Sequence, residues 1–339
     1  MPSMTRFQWV GLGIVLGLLA LTTLGGVVRV TDSGLACPDW PGCYGGVLPS
    51  GDFGEFAAYQ VWLEWTHRLV AALIGFVIIG YAIYALLRRR HQVGVWAPAA
   101  VAVGMLAVQI VLGGLTVTER LEAAIVTAHL AVAMLIVLLM TASWLGAFGW
   151  RPVEGDGGTF GDDAASRARS FGWLALASAV LVYGLIVVGS YVTHTESSFY
   201  CGNQWPLCSG DLWPSGWRAQ LHMSHRFLAV VAGVALLAVA VGVVGQRPRG
   251  RALTLFAHAA VTLFVAQVIF GALTMWIDLA AWSRALHLSA GAVTWTLTAA
   301  AAVIAVYRAG WMGAGSEASQ AAPGGALAPE IGGEGGPSR

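Results

Sequence analysis

The sequence predicts an all-α integral membrane protein with eight transmembrane helices, arranged as two pseudo-symmetric four-helix bundles. The chain is 57% hydrophobic and only 10% charged, whereas soluble domains carry about 25% charged residues. Eight apolar segments are long enough to span a bilayer as helices, which takes roughly 20 residues each. Polar residues inside these segments also recur at a fixed distance in the two halves of the chain.

The predicted helices follow one another along the chain near residues 8–28, 60–87, 96–117, 123–148, 171–193, 219–244, 252–276 and 284–307. The first follows only Arg6 and lacks a small-residue cleavage site before a soluble domain, so we interpret it as a retained helix. Residues 151–170 are polar and predict a cytoplasmic linker, and residues 310–339 predict a disordered tail. The chain therefore divides into an N-terminal half (8–150) and a C-terminal half (171–309).

Arginine placement predicts the orientation in the membrane. One set of helix ends carries Arg6, Arg88, Arg89, Arg90, Arg151, Arg247, Arg249, Arg251 and Arg308; the opposite ends carry Arg29, Arg120, Arg218 and Arg284. The positive-inside rule places both termini in the cytoplasm and the long loop of each half outside it. We expect a multi-pass protein of the plasma membrane, in contact with lipid. A net charge of +1 gives no indication of a nucleic-acid partner.

Four histidines repeat along the chain. His67 and His129 are 62 residues apart, as are His225 and His287, and a shift of 158 residues relates the two pairs. The same shift relates three further pairs, which are Arg68 and Arg226, Gln109 and Gln267, and Gly113 and Gly271. We interpret the glutamines and glycines mainly as helix-packing residues.

The paired histidines predict two similar binding sites inside the helix bundles. Ionisable residues in transmembrane helices are costly and face the bundle interior. Haem iron takes histidine as an axial ligand, and haem is apolar enough for a bundle core. Zinc or copper would require further converging ligands, and none is repeated. A structural alternative is that each histidine only forms hydrogen bonds between helices. We expect His67, His129, His225 and His287 to be axial haem ligands.

The four cysteines lie in the two outer loops. Cys37 and Cys43 enclose a Trp-Pro sequence, as do Cys201 and Cys208, although the second ring is one residue longer. An oxidising compartment favours one disulfide in each loop. Redox-active thiols and a zinc site remain as alternatives, but the spacing is wider than in a usual zinc knuckle.

One turn before the first histidine of each half, the repeat breaks. Glu64 precedes His67 by three residues, and His222 occupies the same place before His225. Residues three apart share a helix face, so Glu64 is a candidate general base or charge stabiliser, or else a hydrogen-bonding neighbour. The role of His222 stays open. Arg68 and Arg226 are candidates for binding haem propionates, or they extend to the membrane interface.

These motifs together resemble the haem A synthase family over residues 8–307. The matching features are the segment Cys37–Cys43, the Glu64-x-x-His67-Arg68 motif, residues 113–116 before His129, and the second-half counterparts. The resemblance implies oxidation of the C8 methyl group of haem O to the formyl group of haem A for a terminal oxidase. It also implies a haem O synthase and an electron donor as partners.

The resemblance further assigns the residues. It implies that His67 and His129 bracket the haem O substrate, with Glu64 as the catalytic carboxylate, and that His225 and His287 ligate a haem b. It links Cys37 and Cys43 to activity or haem handling. From the residues alone, a di-haem electron-transfer cytochrome or a haem transporter also requires repeated histidine pairs, although neither requires the difference between Glu64 and His222.

Overall fold

A computed structural model of the protein describes residues 4–150, 152–153, 159–246 and 250–312. Within these ranges the chain is helical and contains no strand, and eight helices are long and apolar enough to cross a membrane. They are α1 (Arg6–Val30), α2 (Ala58–Arg88), α3 (Val93–Thr118), α4 (Ala123–Gly146), α5 (Thr159–His194), α6 (Trp217–Gly242), α7 (Arg251–Trp276) and α8 (Ala281–Arg308). The predicted all-α fold with eight helices of transmembrane length is thereby confirmed.

The largest departure from the predicted boundaries is at α5. This helix begins at Thr159 rather than near residue 171, so it includes the second part of the segment 151–170 that the sequence predicts to be a cytoplasmic linker. A polar segment can extend a membrane helix beyond the bilayer, because its backbone hydrogen bonds are made within the helix. Residues 151, 154–158, 247–249 and 313–339 lie outside the described residues, and with them most of the predicted tail and the orienting residues Arg151, Arg247 and Arg249.

Each half of the chain forms a group of four neighbouring helices. In the N-terminal half, α1 contacts α2 and α4, and α3 contacts the same two helices. In the C-terminal half, α5 and α7 contact α6 and α8 in the same way. Antiparallel neighbours joined by short turns are the expected arrangement in a bundle.

The two halves meet along α4 and α8, with further contacts of α1 with α8 and of α4 with α5. The indole Nε1 of Trp295 in α8 donates a hydrogen bond of 2.9 Å to the carbonyl oxygen of Met134 in α4. Tyr183 in α5 donates its hydroxyl to the carbonyl oxygen of Ala131, also in α4, at 3.2 Å. As a result α8 is mostly buried, whereas few residues of α3 are.

A long loop follows the first helix of each half, and we name these the first cysteine loop (residues 31–57) and the second cysteine loop (residues 195–216). Because α1 and α5 each end at a cysteine loop and the helices alternate in direction, both loops lie at the same ends of the bundles. We call this side the cysteine-loop face. It is also where α2, α4, α6 and α8 begin.

Candidate functional site

The four repeated histidines lie within the first three turns of α2, α4, α6 and α8, near the cysteine-loop face. His67 lies close enough to His129 for the two rings to interact electrostatically, and His225 lies equally near His287. The fold therefore brings together the residues of each predicted pair, one pair inside each half.

Each of these imidazoles packs edge-on against a glycine of a neighbouring helix. A Cβ atom built on Gly25 of α1 would lie 3.0 Å from Cε1 of His67, and one on Gly189 of α5 would lie 2.7 Å from Cε1 of His225. The same holds for His129 and His287, whose Cε1 atoms would lie 3.3 and 3.1 Å from Cβ atoms built on Gly113 and Gly271, respectively. Any larger residue at these four positions would displace the ring.

The exposure of the histidines suits a ligand held between them. All four rings are half-buried, but the Nδ1 atom of each is fully buried and has no hydrogen-bonding partner. Each ring is therefore accessible at atoms other than Nδ1. Two half-buried imidazoles close to each other inside an apolar bundle fit a bis-histidine haem, whose iron would take a ring nitrogen from each.

The repeated glutamines contact the histidines and do more than pack helices. The amide Nε2 of Gln109 lies 3.3 Å from Nε2 of His129, so it donates to that nitrogen when the nitrogen carries no proton. Nε2 of Gln267 instead donates to the backbone carbonyl of His287. The two halves thus use the same residue differently.

Both predicted disulfides are present, between Cys37 and Cys43 and between Cys201 and Cys208. The structure holds no free cysteine in its described ranges, and no three potential metal ligands converge there. The two loops also share a short antiparallel bridge that follows the second cysteine, from Cys43 to Gly46 and from Cys208 to Asp211.

Corresponding side chains stabilise the turn inside each cysteine loop. The carboxylate of Asp39 accepts hydrogen bonds from the backbone N–H groups of Tyr44 and Gly45, at 2.6 and 2.9 Å. In the second loop, Oε1 of Gln204 accepts from the N–H of Gly210 at 2.8 Å. The sequence relationship between the loops therefore extends beyond the cysteines.

The two repeated arginines bind the loops. Arg68 donates to the backbone carbonyls of Cys37, Asp39 and Gly42. Arg226 donates to those of Gln204, Pro206 and Leu207 at 2.8–3.1 Å. A planar guanidinium with several donors is suited to such a set of carbonyls. These contacts engage the arginines that were expected to hold propionates or to extend to the membrane interface.

Glu64 connects the first loop with the helix that carries His67. Its side chain is only 4% exposed, and its Oε2 accepts a hydrogen bond of 2.8 Å from the N–H of Cys37. Its Oε1 accepts a charge-assisted hydrogen bond from Arg68. The carboxylate is therefore fixed between the disulfide and the arginine, one turn from His67.

His222 occupies the matching place in the second half. This residue is 6% exposed, its Nε2 lies 3.5 Å from Nη2 of Arg226, and the backbone of Ser197 in the second cysteine loop is its other polar neighbour. Among the described residues, Arg226 therefore has no carboxylate partner, whereas Arg68 is paired with Glu64.

Two site residues escaped the sequence reasoning, namely Gly25 and Gly189. They are related by a shift of 164 residues rather than 158, because the two cysteine loops differ in length. Aligning α1 with α5 at an offset of 164 residues would have revealed both glycines. A third missed contact is that of Trp40, whose ring in the first loop packs on Gly114 of α3.

Comparison with known proteins gives one family. The model of the COX15-CtaA family, described as cytochrome oxidase assembly protein, matches residues 8–299. Among similar proteins, one from Novosphingobium aromaticivorans is 28% identical over 81% of this chain and 88% of its own length. One from Alkalihalophilus pseudofirmus is 27% identical, with 76% and 82% covered, and one from Staphylococcus saprophyticus is 26% identical, with 85% and 91% covered. All three carry the name "Heme A synthase".

Proposed function

We propose that this chain, which belongs to the COX15-CtaA family of cytochrome oxidase assembly proteins, is a haem A synthase. The enzyme converts haem O into haem A for terminal oxidases by oxidising the C8 methyl group of the porphyrin to a formyl group. The names of the similar proteins support this reaction, and so does the presence of two paired-histidine pockets inside one membrane protein.

The difference between Glu64 and His222 is the observation that carries an enzymatic role. A protein that only stores or passes electrons needs two haem pockets but no buried carboxylate beside one of them. Burying a carboxylate is costly unless it is paired and hydrogen-bonded, and Glu64 has both kinds of partner. We infer that the N-terminal half, with His67 and His129, takes haem O as the substrate.

In the C-terminal half we propose that His225 and His287 ligate haem b. The rings fit such a group, because they are half-exposed and packed against Gly189 and Gly271. Haem b, when bound there, supplies electron transfer. Among the residues that the structure describes, no carboxylate forms an ion pair with Arg226, and we therefore infer that this pocket is the one suited to a permanent cofactor.

Glu64 is the residue we assign to chemistry. Its carboxylate has four lone-pair sites, and the neighbouring donors of Ala36, Cys37 and Arg68 do not use all of them. Fixed in this way, it can stabilise positive charge that develops beside the methyl group, or accept the proton of an attacking water. Arg68 and the first disulfide keep it in one position relative to His67.

Both cysteine loops are expected outside the cytoplasm, with the protein in the plasma membrane and both termini inside. Arginine placement supports this orientation, and the two disulfides agree with an oxidising compartment. A haem O synthase that supplies the substrate and a membrane electron donor are the expected partners.

The assignment is tested by replacing the two residues that differ. Glu64→Gln keeps the shape of the side chain but removes its charge and leaves one oxygen to accept from Cys37 or Arg68, and we expect haem A formation to fall by about 10²–10⁴-fold, the usual effect of losing a general acid–base group. Haem should stay bound. Pyridine haemochrome spectra of the purified protein, taken before and after turnover with haem O, measure both quantities.

His222→Gln is the matched control, because it alters the same helix position in the other half. We expect it to retain haem A formation within a few-fold. Normal haem A output from the Glu64→Gln protein would overturn the catalytic role of Glu64. Bound haem that never changes type in the wild-type protein would favour an electron-transfer cytochrome or a haem carrier instead.

A further inference from the structure

Two arginines on the cysteine-loop face lie at the junction of the two halves. Arg29 is in the last turn of α1 and Arg284 is in the first turn of α8. These helices contact each other, and the two side chains are near enough for their charges to repel. Two like charges at the edge of an apolar bundle are unfavourable unless an anion lies between them.

The protein supplies little negative charge there. The Nη1 atom of Arg29 lies 3.6 Å from a carboxylate oxygen of Asp32, but the side chain of Asp32 is 86% exposed to solvent. Arg284 makes no hydrogen bond with any of the residues that the structure describes, and the one carboxylate that acts on its charge there is the same exposed Asp32. The Nε atoms of both arginines are buried and lack a partner.

His194, which lies near Arg29, does not neutralise it. Nδ1 of His194 lies 2.7 Å from the carbonyl oxygen of Ser190 and donates to it. The ring is therefore neutral or positive and brings no negative charge to Arg29.

Other arginines on this face are already engaged. Arg68 and Arg226 bind the cysteine loops, and Arg218 donates to the hydroxyl of Tyr200 at 2.6 Å. Arg120 is exposed in the turn between α3 and α4. The Nε of Arg218 is also buried without a partner, so what distinguishes Arg29 and Arg284 is that they lie close to each other at the junction of the two halves.

The helix register directs these arginines toward different pockets. Arg29 follows Gly25 by four residues, so it lies on the face of α1 that packs against His67, one turn nearer the cysteine-loop face. Arg284 precedes His287 by three residues and lies one turn above it on α8 in the same sense. Each pocket thus has one available guanidinium at its outer end.

We propose that Arg29 and Arg284 form a carboxylate-binding site, the arginine pair, that holds the propionates of the haem groups in the two pockets. Arg29 serves the N-terminal pocket and Arg284 the C-terminal one. A guanidinium binds a carboxylate through two parallel hydrogen bonds. This inference rests on the proposed function, because it requires haem in both pockets, and it moves the propionate contacts from Arg68 and Arg226 to the arginine pair.

The experiment compares haem b with its dimethyl ester, in which both propionates lose their charge. Full-length protein is purified from haem-deficient cells and titrated with each compound, and binding is followed by the Soret band of the bis-histidine haem. A His129→Ala parent retains only the C-terminal pair of histidines, and a His287→Ala parent retains only the N-terminal pair. Each parent should bind haem b at least about tenfold more tightly than the ester, as expected for a charge-assisted hydrogen bond.

Adding Arg284→Gln should remove this preference in the His129→Ala parent, and adding Arg29→Gln should remove it in the His287→Ala parent. Arg120→Gln, which removes an exposed arginine from the same face, is the control and should leave the preference unchanged. Equal binding of haem b and its ester by both parents would overturn the inference while leaving the proposed function intact. If neither compound gave a bis-histidine spectrum, the proposed function would fail as well.

Discussion

In the N-terminal half, the arginine that binds the cysteine loop also donates to a buried carboxylate, whereas in the C-terminal half it faces an imidazole. The surroundings are otherwise alike. Each half has one loop disulfide, one helical arginine that donates to three loop carbonyls, and one glycine packed against each of its two histidines. Because so much is shared, the exchange of Glu64 for His222 is the difference on which we base the proposed division of roles. It marks the half in which we place the chemistry.

The second difference lies in how the loop is coupled to the site. In the first half, the N–H of Cys37 donates directly to Glu64, so the position of the carboxylate depends on the path of the loop. No hydrogen bond from Cys201 to His222 is found among the described residues. Disturbing the first loop should therefore affect catalysis, and disturbing the second should affect only the binding of a cofactor.

The largest effects on haem binding are expected from the glycines that pack against the histidines, a feature that both halves share. Gly189→Ala would place a Cβ atom 2.7 Å from His225, and Gly25→Ala would place one 3.0 Å from His67. We expect each variant to lose bis-histidine haem from its own half only, with the greater loss for Gly189→Ala because its contact is closer. Haem content and low-spin absorbance of the purified variants measure this loss.

Gly13 and Gly184 provide matched controls on the same two helices, because a Cβ atom at either position would meet nothing within 4 Å. Gly13→Ala and Gly184→Ala should keep normal haem content. Full haem occupancy in both Gly25→Ala and Gly189→Ala would refute the close packing of the imidazoles.

An intermediate effect should separate the two loops. Replacing Cys37 and Cys43 with serine should lower haem A formation by about tenfold, since a positioning error of the order of 1 Å costs up to 10²-fold. Replacing Cys201 and Cys208 should weaken retention of haem b and lower turnover only in proportion to the haem lost. Turnover per bound haem distinguishes the two cases. An equal loss per haem in both double variants would contradict a special link between the first loop and Glu64.

The smallest effect concerns the contact between the halves. Trp295→Phe removes the hydrogen bond to Met134 but keeps most of the ring, so we expect the free energy of unfolding to fall by about 1 kcal/mol. Haem spectra and turnover should stay unchanged. Thermal denaturation of the purified protein, followed by loss of the Soret band, provides the measurement. A change in turnover without a change in stability would mean that the interface influences the sites.

Much of this arrangement follows from the sequence, because the signals are local or repeated. Apolar length identifies the eight helices, and the alternating direction of the helices is enough to bring His67 and His129 to one level, since both lie near the start of helices that begin on the same face. The beginning of α5 was missed because residues 159–170 contain no apolar stretch. A helix that extends from the membrane into water can be polar in its outer turns, so this segment needs no apolar stretch to be helical.

The contacts of Arg68 and Arg226 could not be foreseen, because their acceptors are backbone carbonyls that any sequence would provide. Their positions depend on the folded path of the loops. Gly25 and Gly189 escaped detection for a related reason. The two cysteine loops differ in length, so the offset between the halves is 164 residues before the loops and 158 residues after them. Local patterns thus predict which elements form, while loop length and backbone direction determine which side chains remain available for a ligand.

The deep burial of α8 has a consequence for how the protein is made. The first described helix, α1, packs against this last one, and α4 meets it along the junction of the halves. During synthesis, the N-terminal helices would enter the membrane with one apolar side facing lipid until α8 arrives. The junction, and with it the neighbouring positions of Arg29 and Arg284, can be completed only once nearly the whole chain has been inserted.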